Sequence, residues 1–368
     1  MVKPERLYLD IHVLQTVPPS CVNRDDTGSP KTAVYGGANR ARVSSQSWKK
    51  AIRDMFKEKV DPDLLALRTK RIVDVVAEEL VRIGYSDDAK VAAQCILEAA
   101  GLKITSVEKG TDALFFMSRA QAHALAGLVA LHPDVAGKKP SAEAKKQAKA
   151  ALKEHPGLEV ALFGRMVAYD PSLNTDACAQ VAHAISTHKV STEYDYFTAV
   201  DDLAPEDNAG AGHLGTVEFN SSTLYRYATV AVHNLYEHLA EDTTKALSWF
   251  VEAFIRSMPT GKQNTFANRT LPDAVLIVAR DDQPVNLVGA FEKPVTAGRD
   301  QAQGYVEASA AALVQQAQRL NSEWLGEPLL TLTIGDLLRD LAQSTTLKQG
   351  LQEMEMGLSA LLAGGGAQ

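Results

Sequence analysis

Between Cys21 and Arg53 the chain gathers the residue types that hold polyanions: Asn23, Arg24, Lys31, Arg40, Arg42, Ser44, Ser45, Gln46, Lys49 and Arg53. Arg40 and Arg42 stand two apart, on one face of an extended strand, and lead directly into Ser44, Ser45 and Ser47, which suit the cap of a helix. A helix start offers unpaired backbone N–H groups and the positive end of the helix dipole. Lys49 and Arg53 then recur four residues apart on one helical face. Together these features suit phosphate oxygens. Taken singly, each also fits an ordinary surface helix with a serine cap and a solvated basic face.

Two other features could carry different chemistry. Asp25 and Asp26 are adjacent carboxylates, which can hold a divalent cation and hydrolyse a phosphodiester. A third ligand at recognisable spacing is missing, and either carboxylate could pair with Arg24 or cap a turn. Gly261-Lys262-Gln263-Asn264-Thr265 looks like the end of a phosphate-cradling nucleotide loop, but Arg256 occupies the place of the first glycine. Lys262, Gln263 and Asn264 therefore read either as phosphate or ribose contacts or as ordinary loop polarity. His12, His183, His188 and His213 lack a nucleophile or ligand partner and read as structural, so neither catalytic residues nor a metal or cofactor is expected.

A second basic run comprises Lys138, Lys139, Lys145, Lys146, Lys149 and Lys153, of which 145, 149 and 153 line one helical face. It suits a solvated face or a non-specific duplex-binding surface whose affinity falls with salt. Tyr194, Tyr196 and Phe197 precede a glycine-rich loop, and Phe219, Tyr225 and Tyr227 follow it. Such aromatics read as cross-strand packing, while Tyr196 or Phe197 could stack on or wedge between bases if the hairpin projects.

The elements that must position these groups follow from periodicity. Residues 6–14 alternate, with Leu7, Leu9, Ile11 and Val13 on one face and Tyr8, Asp10 and His12 on the other, which predicts a half-buried strand. From Ser44 the period becomes helical through Trp48, Ala51, Ile52, Met55 and Phe56. Residues 62–183 read as almost entirely helical, with breaks near Gly84, Gly101, Pro133, Pro140 and Pro156. Strands return at 190–200 and 217–232, followed by helix at 235–258, a short strand at 274–279 and helix at 305–325. The expected fold class is α+β: an RRM-like, ferredoxin-like sheet of residues 1–61 and 184–368, a helical insertion at 62–183 and a hairpin at 190–227.

Composition limits the alternatives. A chain of 368 residues exceeds one ordinary core, and 45% hydrophobic with 23% charged residues is typical of globular proteins. No apolar run approaches a membrane span, and residues 1–30 lack a signal-peptide pattern, so a soluble cytoplasmic protein without membrane partners is expected. Cys21, Cys95 and Cys178 are widely spaced and odd in number, which favours buried thiols. The net charge of −7 argues against a generic nucleic-acid binder, but lysine and arginine outnumber acids over residues 1–60, so one surface can be basic.

Larger blocks resemble a known family, the CasC-type backbone subunits of the type I-E CRISPR Cascade complex. The resemblance rests on Ile11-His12-Val13-Leu14, Pro19-Ser20-Cys21-Val22-Asn23-Arg24-Asp25-Asp26, Tyr35-Gly36-Gly37, Arg42-Val43-Ser44-Ser45-Gln46-Ser47 with Lys49, and Phe163-Gly164-Arg165-Met166. It continues through Ala182-His183-Ala184-Ile185-Ser186-Thr187-His188, Phe197-Thr198-Ala199-Val200-Asp201-Asp202-Leu203, His213-Leu214-Gly215-Thr216, Tyr225-Arg226-Tyr227-Ala228 and Ala290-Phe291-Glu292-Lys293.

The resemblance implies an open hand of RRM-like palm, helical fingers and hairpin thumb, with no catalytic activity of its own. It implies polymerisation along a CRISPR RNA into a hexameric helical filament, with other Cascade subunits, and presentation of that guide to target DNA by base pairing. By the same resemblance Arg24, Lys31, Lys49 and Arg53 grip the guide backbone with help from Ser44, Ser45 and Gln46, and Met166, Tyr196 and Phe197 hold a kink where a base turns out. The lysines from Lys138 to Lys153 would then touch incoming DNA, on helical spacing alone. The family's usual Trp-Phe pair is Tyr196-Phe197 here, which keeps stacking. The resemblance extends the RNA contacts to Lys293, although the loop after it is less basic than the family pattern, with Pro294, Thr296 and Gly298 before Arg299. The alternative function is a metal-dependent CRISPR-associated ribonuclease, for which Asp25, Asp26, Asp201 or Asp202 would serve.

Overall fold

The first strand of the computed structural model, β1 (Tyr8–Ser20), runs well past the expected end at Leu14. The structure describes residues 5–85, 87–135, 140–199, 213–297 and 304–364. β1 is also buried on both faces, not one: Asp10 and His12 are as covered as Leu9 and Ile11. The reason is position, because β1 lies between strands Ala274–Arg280 and His213–Ala231 at the middle of the main sheet, and helix Tyr305–Leu320 packs against it.

From one edge, the order of that sheet is Ser344–Thr345, Leu330–Ile334, Ala274–Arg280, β1, His213–Ala231, Ala184–Ser186, β3 (Ala38–Val43) and β2 (Thr32–Tyr35). Four of these strands form the ferredoxin-like core. In chain order they are β1, Ala184–Ser186, His213–Ala231 and Ala274–Arg280, and in space the fourth lies beside the first, then the third, then the second. Helix α1 (Ser45–Lys59) follows the first core strand and helix Thr243–Arg256 precedes the fourth. The α+β palm expected from sequence is therefore present.

The chain divides into two compact units, Met1–Met55 with Val181–Thr229 and Phe250–Gln368, and Phe56–Gln180 with Val230–Trp249. Residues 230–249, expected with the palm, cluster with the insertion. The second unit packs helices Ile72–Arg82, Ala89–Ala99, Arg119–Leu131 and Ala142–Ala151 around Val76, Ile96, Leu125 and Ala148. It is less purely helical than its composition suggests. Ala66–Thr69 pairs with Phe115–Ser118, and Ile104–Ser106 pairs with Gly110–Thr111. Strands of two to four residues are too short for alternation to register in sequence.

The hairpin is formed by Glu193–Ala199 against the early part of His213–Ala231, with Tyr196 opposite Thr216 and Phe197 opposite Gly215. Its tip, Val200 to Gly212 with Asp201 and Asp202, lies outside the described residues. Among the described residues no helix is long and apolar enough to cross a membrane. The three cysteines are buried and unbridged, as expected.

Candidate nucleic-acid interface

β2 and β3 are joined by Gly36-Gly37 alone, and both glycines have positive φ, +56° and +71°. Two such residues make the turn whose twist matches paired strands. A Cβ on Gly36 would lie 1.6 Å from the carbonyl oxygen of Glu292, so only glycine lets this turn press against the segment ending at Lys293. This hairpin sets the basic rim in place.

Arg40 departs from the expectation of a phosphate contact. It is fully buried in β3, and its guanidinium donates to the carbonyls of Ser186 (2.9 Å), Thr187 (2.8 Å), Phe291 (2.8 Å) and Tyr35 (3.3 Å). Its donors are spent on the fold. Arg42, two residues on, is partly exposed; its Nε donates to Thr32 O (3.1 Å) and its Nη1 to His183 Nδ1 (3.2 Å). Among the described residues its Nη2 takes no protein partner. Accepting that bond keeps Nδ1 of His183 unprotonated. The imidazole is held below its ordinary value by burial first, and then by the charges of Arg42 and Lys31. Lys31 therefore shares one positive neighbourhood with Arg42.

Asn23 links the preceding loop to the helix start. Its backbone carbonyl accepts from Lys31 N (2.8 Å), and its Oδ1 accepts from Ser44 N (2.9 Å), just ahead of α1. Ser44 accepts from Ser47 N through its hydroxyl (3.4 Å) and carbonyl (3.0 Å), while Ser45 and Gln46 remain on the accessible side. The first turn of α1 holds no acid. Lys49 and Arg53 are half-buried on its flank, and desolvation lowers the Lys49 ammonium pKa.

The orientation of α1 comes from Trp48, which is buried under the guanidinium of Arg226, 3.7 Å from ring centroid to Cζ. Arg226 also donates to Gln15 Oε1 (2.6 Å) and to Phe254 O, so β1, α1 and helix Thr243–Arg256 meet at one side chain. Burial pulls its pKa down to about 9. Tyr225 and Tyr227, on either side, lie in the opposite core: Tyr225 bonds His12 Nδ1 (2.9 Å) and Asn286 Oδ1 (3.1 Å), and Tyr227 donates to Asp10 Oδ1 (2.9 Å). The Tyr225-Arg226-Tyr227 block is thus structural.

Arg24 is exposed, and with Lys262 it acts on the buried Cys21 thiol, whose pKa burial raises and these two cations partly restore. A Cβ on Gly261 would lie 2.1 Å from Val22 O, so glycine is what lets the 260–264 loop lie on the 21–24 backbone. Lys262 itself adopts a left-handed φ of +47°, rare for a lysine, and Gln263 begins a short exposed helix. Phe266 at the end of that helix meets Phe219 at the base of the hairpin, 5.8 Å between centroids. Arg24, Lys31 and Lys262 make no ion pair among the described residues.

Asp25, the most enzyme-like residue of the segment, is committed to its own turn. Its Oδ1 accepts from Thr27 N (2.9 Å), Thr27 Oγ1 (2.7 Å) and Ser29 N (3.0 Å), bonds that lower its pKa. Among the described residues no group of three acidic, histidine or cysteine side chains is arranged to hold a metal.

On the hairpin, the Glu193–Ala199 strand is exposed throughout, with Tyr194 67%, Tyr196 64% and Phe197 42% accessible. Tyr194 and Tyr196 share a face, and Phe197 lies on the other, over Gly215, where a Cβ would meet its ring at 2.3 Å. Tyr225 and Tyr227 are packed in the core, Phe197 packs across the hairpin on Gly215 and Phe219 meets Phe266, while Tyr194 and Tyr196 are mostly exposed. Tyr194 escaped the site reading, although its spacing from Tyr196 carried the signal.

In the second unit, Met166 is 83% exposed next to a buried Arg165, which donates to Leu152 O (2.7 Å), Leu173 O and Phe116 O (both 3.1 Å). Of the lysine run, Lys138 and Lys139 lie outside the described residues. Lys145 and Lys146 project from helix Ala142–Ala151, Lys153 follows its end, and Lys149 is paired with Asp170 at 2.9 Å. Lys293 is exposed beyond the Leu287–Phe291 turn.

A family model described as CT1975-like protein matches residues 9–361. A chain of a solved "CRISPR RNA-guided surveillance complex, pre-nicking" is similar at a TM-score of 0.81 and 34% identity, over 95% of this chain and 99% of that one. A chain of another "CRISPR RNA-guided surveillance complex" is similar at 0.60 and 29% identity, over 95% and 99%. No curated protein matches.

Proposed function

This chain belongs to the family of CT1975-like proteins, and we propose that it is the CasC-type backbone subunit of a type I-E Cascade complex in CRISPR defence. It binds CRISPR RNA, assembles with further copies of itself along that guide and with other Cascade subunits, and presents the guide to target DNA. The family match and the likeness to chains of RNA-guided surveillance complexes support the assembly.

One observation carries the RNA reading: Arg24, Lys31, Arg42 and Lys262 share one unit with an acid-free helix start and two exposed tyrosines of the hairpin. Unpaired cations with a helix N-terminus suit a phosphate backbone, and exposed aromatic faces suit unstacked bases. Base reading is left to pairing. The subunit acts without catalysis, consistent with Asp25 being used as a turn cap.

Co-expression with a repeat–spacer RNA tests this. The expected product is a large ribonucleoprotein with high absorbance at 260 nm, and a nucleic-acid-free small oligomer would overturn the reading. Regularly spaced cleavage of complementary RNA in magnesium, lost on Asp25→Ala or Asp26→Ala, would overturn the non-catalytic part.

A further inference from the structure

Lys31 and Arg42 border a small cavity, about 20 Å³, whose lining also includes Asn23, Asn220 and Ser222. The volume suits a single oxygen-sized occupant. Asn220 is 7% exposed, and its amide Nδ2 has no hydrogen-bond partner among the described residues. A buried donor left unpaired is costly, and such groups are rare unless a ligand or water completes them. Here the donor belongs to a cavity flanked by two cations, one of which, Arg42, is oriented by Thr32 O and His183 Nδ1 with its Nη2 left over.

We propose that Asn220 donates a hydrogen bond to one phosphate oxygen of the bound RNA, seated between Lys31 and Arg42. This rests on the RNA-binding reading and adds a residue to it that neither charge nor motif singles out. A neutral donor to an anionic oxygen strengthens binding without releasing a counterion. Its contribution is therefore independent of salt, unlike those of Lys31 and Arg42.

The test titrates a repeat–spacer RNA against the full chain over a series of salt concentrations, for the unaltered protein, Asn220→Ala, Asn220→Asp and Lys31→Ala. Asn220→Ala is expected to weaken binding about tenfold at every salt concentration, with the slope of log affinity against log salt unchanged. Asn220→Asp places a carboxylate of the same shape against the phosphate and is expected to weaken it further. Lys31→Ala is expected to lower the slope by about 0.7. Unchanged RNA affinity in both Asn220 variants, with or without a lower melting temperature of the RNA-free chain, overturns the proposal, because the amide then serves a structural water. If Asn220→Asp does not fold, the Asn220→Ala titration decides alone. Failure of the unaltered chain to bind RNA overturns the reading beneath it and is seen separately.

Discussion

The interior of the palm sheet and its basic rim use the same side chain in opposite ways. Arg40 and Arg226 are buried and donate to backbone carbonyls and a glutamine amide oxygen, with Arg226 also stacked on an aromatic face and its Nε left without a hydrogen-bond partner among the described residues. Arg24 and Arg42 stand at the surface, with Arg42 steered by two bonds and the Arg24 side chain making none among the described residues. Arg24, Arg42 and Arg226 lie inside blocks that mark the family resemblance, and Arg40 stands two residues before one. An arginine in or beside such a block therefore has two possible jobs, and only burial separates them. The interior pair fixes where the strands and α1 sit; the rim pair faces whatever those elements are positioned to hold.

The largest test of that division is Arg40→Met, which keeps the side-chain volume but removes the donors that three buried carbonyls rely on. Loss of about 3 kcal/mol or more of stability is expected, read as a lower urea midpoint. An Arg40→Met protein with normal stability and weakened RNA binding would move Arg40 back to the rim.

The interior also makes a prediction about pH. Burial pulls His12 down to about 3, from an ordinary 6.5, and pushes Asp10 up to about 6, from 3.8. Folded His12 binds fewer protons than unfolded, so its contribution is complete above 6.5 and is lost as pH falls toward 3. Folded Asp10 binds more protons, so its contribution is complete below 3.8 and is lost as pH rises through about 6. The two nearly cancel between pH 6.5 and 4. Asp10→Asn removes one side of the balance, and its stability is expected to fall by about 3 kcal/mol across that window relative to the unaltered chain. Parallel pH profiles for the two proteins would show that Asp10 titrates normally, and a flat profile for Asp10→Asn would show the same of His12.

Much of the fold was legible because its signals are periodic. Alternation marked β1, helical spacing of Trp48, Ile52 and Phe56 marked α1, and an apolar run marked the strand expected at 274–279 and found at Ala274–Arg280. What escaped were features that depend on neighbours distant in sequence. Nothing local says that Asp10 and His12 meet Tyr227 and Tyr225 more than 200 positions away. Nor does spacing distinguish Arg40 from Arg42, since both lie on one face of β3. The β2–β3 turn was the exception, a local signal passed over: Gly36-Gly37 between short strands is a hairpin mark.

At the rim the expected effects are on binding and not on folding. Lys31→Ala with Arg42→Ala is expected to change stability by no more than about 0.5 kcal/mol, read from the urea midpoint, since neither side chain is in the core. The salt dependence of guide binding should fall by about 0.7 for each phosphate contact removed. A large stability loss, or an unaltered salt slope, would erase the distinction between rim and interior.

The lysines of the second unit give the smallest effect, because they are held least. Helix Ala142–Ala151 buries only Ala144, Ala148 and Ala151, and its lysines stand on flexible stems with Lys149 already paired to Asp170. Asp170 gains from that: Ser172 first, and Lys149 after it, hold its pKa down to about 2. Removing Lys145 and Lys146 together should leave stability and guide retention unchanged, and weaken the assembled complex's binding to duplex DNA of any sequence by a few-fold at low salt. The loss should disappear at high salt, where screening removes what the lysines supplied. A sequence-dependent loss, or one that persists in high salt, would mean that these lysines make fixed contacts of the kind Arg42 is built for, and the contrast between a steered rim and a diffuse helix face would fail.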